Sequence, residues 1–209
     1  MTVHSLPDAA SVPRRSLLQL WLVVLVCLAP VVASYMAFYV FEVRGSAYGT
    51  LIQPTREIPQ QLPIHNGQGQ ALKPESLKGQ WLLVVVSGGA CPEQCERQLF
   101  MQRQLRDMLG KEREKLDKVW IVSDAVAIRP ELTQALSQGL PPTVLRIPAE
   151  ALQQWLAPDA GRALADHLYL VDPLGRWMWR APVDADPMKI KKDLDRLIKA
   201  NAGWDRPGR

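Results

Sequence analysis

The chain has 209 residues, of which 47% are hydrophobic and 22% are charged, and its formal net charge is +4. This length accommodates one ordinary domain and an additional segment. The basic residues are spread along the chain and do not form the concentrated basic face or arm of a nucleic-acid binder, so we expect no nucleic-acid partner. Three cysteines are too few for a disulfide scaffold.

An uncharged apolar segment near the N-terminus, residues 17–41, predicts a transmembrane helix that contacts the lipid bilayer. About 20 residues suffice to cross the hydrocarbon core. Arg14 and Arg15 precede this segment and favour a cytoplasmic location for residues 1–16. The remainder then lies outside the cytoplasm, which predicts a single-pass protein of the bacterial inner membrane with a periplasmic domain.

A cleaved signal peptide is the alternative, because small residues surround the Ala33–Ser34 bond. The apolar run continues beyond that bond to Phe41, which favours an uncleaved anchor. Residues 42–63 contain three prolines among polar residues and predict an extended tether. We expect the soluble domain to span residues 64–200 and the polar residues 201–209 to form a flexible tail.

Within the domain, the Val-rich run at 81–87 predicts a strand that is buried on both faces. A helix is expected to begin near Pro92, since proline is favourable in a first helical turn. The elements predicted next are a strand at 119–123, a helix at 130–138, a strand at 143–147, a helix at 149–156, a hairpin of strands at 168–171 and 177–180, and a helix at 186–200. Parallel strands joined by helices, and closed by a hairpin and a last helix, predict an α/β, thioredoxin-like fold.

The chemistry of the domain is concentrated in Cys91 and Cys95, at the exit of the predicted strand at 81–87. Binding crevices of open α/β sheets lie at this end of the strands. The cysteines are one helical turn apart, and the partial positive charge of a helix N-terminus stabilises a thiolate. A thiolate is both a redox nucleophile and a ligand for a soft cation such as Cu(I). A purely structural disulfide is the alternative, although so short a loop provides little stabilisation. Cys27 lies in the apolar segment, where we expect it to pack among lipids.

His167 is the candidate third member of the site, because it immediately precedes a predicted central strand. In a thioredoxin-like fold, the loop that enters this strand approaches the cysteine-bearing end of the helix. A neutral imidazole at that position completes a metal site of two sulfurs and one nitrogen. The alternative is a loop histidine that is hydrogen-bonded to Asp166 or to the backbone.

Three segments, WLLVVVSGGACPEQC (81–95), SDAVAIRPEL (123–132) and DHLYLVDPLGR (166–176), resemble the SCO/SenC family of copper proteins in cytochrome c oxidase assembly. The resemblance implies a thioredoxin-like fold of the glutaredoxin/SCO type. It also implies that Cys91, Cys95 and His167 bind copper. The implied function is delivery of copper, or of reducing equivalents, to the copper centre of oxidase subunit II, with that subunit or other assembly factors as partners.

Two other functions remain open at this point. The first is a periplasmic thiol–disulfide oxidoreductase that uses Cys91 as its nucleophile, with Cys95 as the second catalytic residue. The chain is an enzyme only under this hypothesis. The second is a non-catalytic assembly or scaffold protein that retains the fold alone. The sequence contains neither a phosphate-cradling glycine loop nor a Ser-His-Asp arrangement, so we expect no nucleotide-binding or hydrolase activity.

Overall fold

The structure is a computed structural model that describes residues 14–39, residues 47–200 and Gly203. It divides into two units, Met1–Ser46 and Ala47–Arg209. The predictions for residues 1–13, for residues 40–46 and for the tail, apart from Gly203, lie outside the described residues.

The described residues of the first unit form the helix α1 (Arg14–Tyr39), which continues through Pro30. Its stretch Leu17–Ala37 has a mean hydropathy of 2.4 and is long and apolar enough to cross a membrane. The side chains described for α1 are exposed, including Trp21 and the free thiol of Cys27. The expected N-terminal apolar helix is therefore present, as a candidate membrane span.

The second unit is built on one mixed sheet. Its described strands are β1 (Thr50–Glu57), β2 (Ile64–Asn66), β3 (Ala71–Leu72), β4 (Trp81–Ser87), β5 (Leu116–Val122), β6 (Thr143–Arg146), β7 (Leu168–Val171) and β8 (Arg176–Arg180). They are arranged in the order β1-β8-β7-β4-β5-β6-β2-β3. The central strands β4, β5 and β6 are parallel and the other pairs are antiparallel.

The helices of this unit are α2 (Glu93–Met108), α3 (Pro130–Ser137), α4 (Ala149–Leu152) and α5 (Pro187–Ala200), and 3-10 turns lie at Pro74–Leu77, Gly110–Lys115 and Leu164–Asp166. The predicted thioredoxin-like fold is confirmed. The predicted helix at 149–156 is shorter than expected, because α4 ends at Leu152 and turns carry the chain to the buried Trp155.

Every residue of β4 is buried, as the continuous apolar run predicts. Alternate side chains of a strand point to opposite sides of its sheet. On one side, Leu83 and Val85 pack in a core that includes residues of α2 and α5; we call this the α2 face. On the other side, Leu82 and Val84 pack in a core that contains Trp155, and we call this the Trp155 face.

The prediction that residues 42–63 form a tether is wrong for residues 50–57. These residues form β1, an edge strand that pairs antiparallel with β8. Proline is tolerated in edge strands, so the prolines that suggested a tether are compatible with this strand as well. Ile58 and Leu62 are also buried in the core of the Trp155 face. The folded domain therefore begins before residue 64.

Candidate functional site

The two cysteines of the domain lie where β4 passes into α2. Cys91 and Cys95 form a disulfide, and their Cα atoms are 5.1 Å apart. Pro92 is the N-cap residue of α2, with an extended backbone, so Cys95 falls in the first turn of the helix. The structure thus brings the two predicted residues together at the carboxyl end of β4.

The loop from β4 to α2 is pressed against the segment that follows β5, which we call the 124–129 segment. A Cβ atom on Gly88 would overlap the Asp124 carboxylate, and one on Gly89 would overlap the Val126 carbonyl. The Gly89 N–H donates to Asp124 Oδ1 at 2.8 Å. Glycine is required at position 89 because of this close backbone approach, whereas a side chain at position 88 would have to displace the Asp124 carboxylate.

Cys91 has a φ of 41°, in the left-handed region that residues other than glycine rarely adopt. A conformation of this kind costs of the order of 1–3 kcal/mol and needs support from its surroundings. Two hydrogen bonds provide that support: the Cys91 N–H donates to the Gly88 carbonyl at 3.1 Å, and Arg129 Nη2 donates to the Cys91 carbonyl at 3.0 Å. The same guanidinium pairs with the Glu96 carboxylate.

Both cysteines are buried, with 0% of Cys91 and 2% of Cys95 exposed. They belong to the core of the α2 face. Exchange with a thiol of another molecule therefore requires local movement around the disulfide. Two ion pairs lie near them: Arg129 with Glu96, and Arg97 with Glu93 at 2.7 Å.

The loop that enters β7 contacts the first turns of α2, as predicted. Gln94, between the two cysteines, donates from Nε2 to Asp166 Oδ1 at 3.0 Å, and Gln98 Nε2 donates to the Ala165 carbonyl at 2.9 Å. The Ala163 N–H donates to Asp166 Oδ2 at 2.9 Å. This backbone bond, followed by the bond from Gln94, lowers the pKa of Asp166.

His167, in contrast, does not join the cysteines. Leu168 packs in the same core as Cys91, on the α2 face, whereas Tyr169 packs on the Trp155 face. The His167 backbone is extended, and its ring meets the Tyr169 ring edge-on with centroids 6.2 Å apart. Strand alternation therefore places the imidazole on the Trp155 face, on the other side of the sheet from α2.

Both ring nitrogens of His167 are already bonded to the backbone. Nδ1 lies 2.8 Å from the Ala181 carbonyl oxygen, and Nε2 accepts the Asp159 N–H at 3.2 Å. The residue is fully buried. Across residues 14–39 and 47–200, no three His, Cys, Asp or Glu side chains are grouped so that they could hold a metal ion. The predicted donor set of two sulfurs and one nitrogen does not fit this arrangement, which leaves the two sulfurs as the donors available to a soft cation.

Sequence reasoning did not identify Arg129, Asp124 or Gln94 as members of the site. Gln94 is detectable in principle, because it lies between the cysteines in the first turn of a predicted helix. Arg129 follows the apolar run AVAI (125–128) and directly precedes Pro130, at which the next helix is predicted to begin. A charged side chain at that point indicates a specific partner, but the sequence does not reveal that the partner is the Cys91 carbonyl.

A family model described as "Transmembrane-like, thioredoxin-like, C-terminal domain" matches residues 81–201. This range includes the cysteine pair, the 124–129 segment and the hairpin of β7 and β8. It spans more than half of the chain. The chain belongs to this family. A comparison with curated proteins finds no match.

Solved structures of low sequence identity share the fold of this family member. Yeast Sco1 with copper bound has a TM-score of 0.54 and 16% identity, over 77% of this chain and 98% of its own. A putative electron transfer protein from Aquifex aeolicus VF5 has a TM-score of 0.53 and 14% identity, over 70% and 98%. A SCO1/SenC family lipoprotein from Bacillus anthracis str. Ames has a TM-score of 0.50 and 16% identity, over 70% and 98%. The expected resemblance to SCO/SenC proteins is therefore confirmed in the fold.

Proposed function

We propose that this protein is a membrane-anchored thiol–disulfide protein that exchanges electrons with a client through Cys91 and Cys95, outside the cytoplasm. The observation that carries this proposal is the disulfide at the junction of β4 and α2. Redox-active pairs occupy such positions because the helix N-terminus stabilises the thiolate that forms on reduction.

The exchange transfers two electrons and two protons. A thiolate of a client dithiol attacks one sulfur of the Cys91–Cys95 bond and displaces the other as a thiolate, which forms a mixed disulfide. The second client thiol then attacks the client sulfur of this mixed disulfide and displaces the protein sulfur. The client is released with a disulfide, and the protein becomes a dithiol. The reverse sequence reduces a client disulfide. Cys91 and Cys95 are the reacting residues in either direction.

Copper transfer is the second candidate function, and the two sulfurs support it. Once reduced, Cys91 and Cys95 offer two thiolates, which are soft ligands suited to Cu(I) as a cargo. The resemblance to SCO/SenC proteins supports the same cargo and proposes the copper centre of oxidase subunit II as its destination. A redox role at that centre needs only the dithiol, whereas the three-ligand copper site also requires His167. The position of His167 therefore favours the redox role.

Reduction of the full-length protein in detergent micelles tests the redox role. The Cys27→Ser variant leaves Cys91 and Cys95 as the only thiols that can be titrated. Equilibration with mixtures of glutathione and glutathione disulfide should convert the pair to the dithiol within the range of known exchange proteins, about −120 to −270 mV. A potential below about −300 mV, which is typical of structural disulfides, would contradict the proposal.

Copper binding is tested with the same variant after reduction, by titration with Cu(I) against a competing chelator. We expect one ion per chain and loss of binding when Cys91 and Cys95 are both changed to Ser. A His167→Ala change should leave the affinity unaltered if the two sulfurs alone hold the ion. Absence of a one-to-one complex would eliminate the copper role and leave the redox role to its own test.

A cellular experiment separates both roles from that of a scaffold. If the chemistry of the pair serves oxidase assembly, the double Ser variant should lower oxidase activity as strongly as deletion of the gene. Normal activity at normal protein level would support the scaffold hypothesis instead.

A further inference from the structure

We propose that Arg129 is a positioning residue for the redox pair: by holding the Cys91 carbonyl, it keeps Cys91 beside Cys95 and favours the disulfide over the dithiol. The inference rests on the proposed redox function and concerns the balance between the two states of the same pair. Arg129 reaches the site from the 124–129 segment, which follows a different strand from the one that carries the cysteines.

The first step of the argument is the backbone of Cys91. Its left-handed φ of 41° is unfavourable for a residue with a side chain. In the oxidised protein, the covalent bond to Cys95 holds Cys91 in place together with the two hydrogen bonds. In the dithiol, only the bonds to the Gly88 carbonyl and from Arg129 Nη2 remain. The position of Cys91 therefore depends more on Arg129 in the dithiol than in the oxidised protein.

The second step is the effect of its loss. Without Arg129, the oxidised form keeps Cys91 in its strained conformation because of the disulfide. The dithiol is free to relax, and relaxation lowers its free energy relative to that of the oxidised form. Loss of Arg129 therefore shifts the equilibrium towards the dithiol.

The third step concerns charge, which acts in the opposite direction. A guanidinium near a thiolate stabilises the reduced form, so removal of its charge would shift the equilibrium towards the disulfide. The charge of Arg129 is offset by Glu96, and the side chains of this pair are 51% and 45% exposed. Coulomb interactions of paired, half-exposed groups are weak because solvent screens them. Positioning therefore dominates.

The test is the equilibrium between one protein disulfide plus two glutathione molecules and one protein dithiol plus one glutathione disulfide. It is measured on the full chain in micelles, in the Cys27→Ser background. We expect Arg129→Ala to shift this equilibrium about fivefold towards the dithiol, which corresponds to about 20 mV. Arg129→Lys, which keeps a donor and the partner for Glu96, should recover most of the wild-type value.

Arg97→Ala is the matched control. Arg97 is also an arginine paired with a carboxylate near the start of α2, but its bond is to Glu93, and its side chain is 62% exposed. We expect this change to move the equilibrium by less than twofold. Glu96→Gln, which leaves Arg129 charged and removes the offsetting carboxylate, should likewise have a smaller effect than Arg129→Ala.

Three results would overturn the proposal: no shift with Arg129→Ala, a shift towards the disulfide, or a shift with Glu96→Gln that exceeds that of Arg129→Ala. The last two would indicate that charge governs the pair. If Arg129→Ala does not fold, Arg129→Met decides, because it keeps a side chain of similar length and removes every hydrogen-bond donor; a shift of about fivefold towards the dithiol is expected, and no shift would contradict the proposal. The variants are compared with one another, so this test remains valid even if the wild-type potential proves too low for the proposed function. In that case glutathione is replaced by a dithiol couple of lower potential, which can reduce the protein.

Discussion

At the scale of single residues, His167 shows how a buried imidazole is satisfied without a metal. A neutral ring with its proton on Nδ1 donates to the Ala181 carbonyl, and its bare Nε2 accepts the Asp159 N–H. One tautomer thus meets both partners, and no lone pair remains for a cation. The Asp159 carboxylate is tied in turn to the buried Arg180. This network links the residue that precedes β7, the end of β8 and the segment around Asp159.

We therefore expect His167→Ala to lower the free energy of unfolding by about 2–4 kcal/mol, because the buried Ala181 carbonyl and the partly buried Asp159 N–H lose their partner and a cavity remains. Denaturant unfolding of the oxidised protein measures this change. His65→Ala, at a half-buried histidine of β2, is the control and should cost less. A copper affinity that falls at least tenfold with His167→Ala, with the unfolding free energy unchanged, would restore the histidine as a ligand.

Asp166 makes the stability of the site depend on pH. Its pKa in the folded protein is lower than its ordinary value, mainly because its carboxylate accepts the Ala163 N–H and then the Gln94 amide. Below the ordinary value the unfolded chain binds more protons, so stability rises with pH in that range. The contribution of Asp166 is therefore complete above about pH 5, where the carboxyl is ionised in the unfolded chain as well, and it is lost as the pH falls through the folded pKa.

The measurement is the unfolding free energy between about pH 2 and 5. We expect Asp166→Asn to make the dependence on pH shallower in this range, because the amide does not titrate. Glu150→Gln, at an exposed residue of α4, is the control and should leave the slope unchanged. An identical slope in Asp166→Asn and the wild type would show that the loop before β7 is not held by this carboxylate.

How far the site could be predicted differs between its residues. Cys91 and Cys95 lie within one helical turn at a strand exit, and local spacing alone brings such residues together. The position of His167 depends on which residues of β7 and its entry face each side of the sheet. A shift of one residue along a strand moves a side chain to the other face. The sequence identified the loop correctly but did not give that alternation. Arg129 is 38 residues from Cys91, and only the packing of the 124–129 segment reveals their contact.

At the scale of elements, β4 and β7 were predicted with the bounds that the structure gives them, because apolar runs with turn signals at their ends are local features. The edge strand β1 was not predicted. Seven of its eight residues are exposed, so its sequence carries no apolar alternation. Its partner β8 determines that it is a strand: Thr50 pairs with Arg180 and Glu57 pairs with Arg176.

We expect a fragment of residues 47–209 to fold, and a fragment of residues 64–209 to be strongly destabilised. The shorter fragment lacks β1 together with the buried Ile58 and Leu62. Loss of two buried side chains of this type removes about 3–6 kcal/mol, against a total of about 5–15 kcal/mol for an ordinary domain. Trp179 would also lose its contact with Gly49 and its pairing with Leu51.

Thermal unfolding followed by tryptophan fluorescence distinguishes the two fragments. A cooperative transition is expected for residues 47–209, and for residues 64–209 a transition at much lower temperature or none. Equal transitions would show that β1 is dispensable and that the boundary predicted from the prolines is the functional one.

At the scale of the whole molecule, the helix α1 and the domain differ in whether their apolar side chains need lipid to cover them. The described side chains of α1 are all exposed and mostly apolar, so lipid is the surrounding that would cover them. The domain encloses its own apolar cores on both sides of the sheet, so it needs no lipid cover. An exchange that begins from the oxidised pair is sustained only on the side of the membrane where thiols become oxidised. Orientation therefore links the anchor to the proposed chemistry.

We predict that the domain faces the periplasm, because Arg14 and Arg15 flank the N-terminal end of the apolar stretch and such residues are retained in the cytoplasm. A variant with Ser in place of Cys27, Cys91 and Cys95 provides a cysteine-free background. In it, Gln104→Cys places one thiol on an exposed position of α2, and Ser5→Cys places one before α1. A membrane-impermeant maleimide applied to spheroplasts should label the first at once and the second only after detergent lysis. The reverse pattern would place the disulfide in the reducing cytoplasm, where an exchange reaction that begins from the oxidised pair has no oxidant to sustain it.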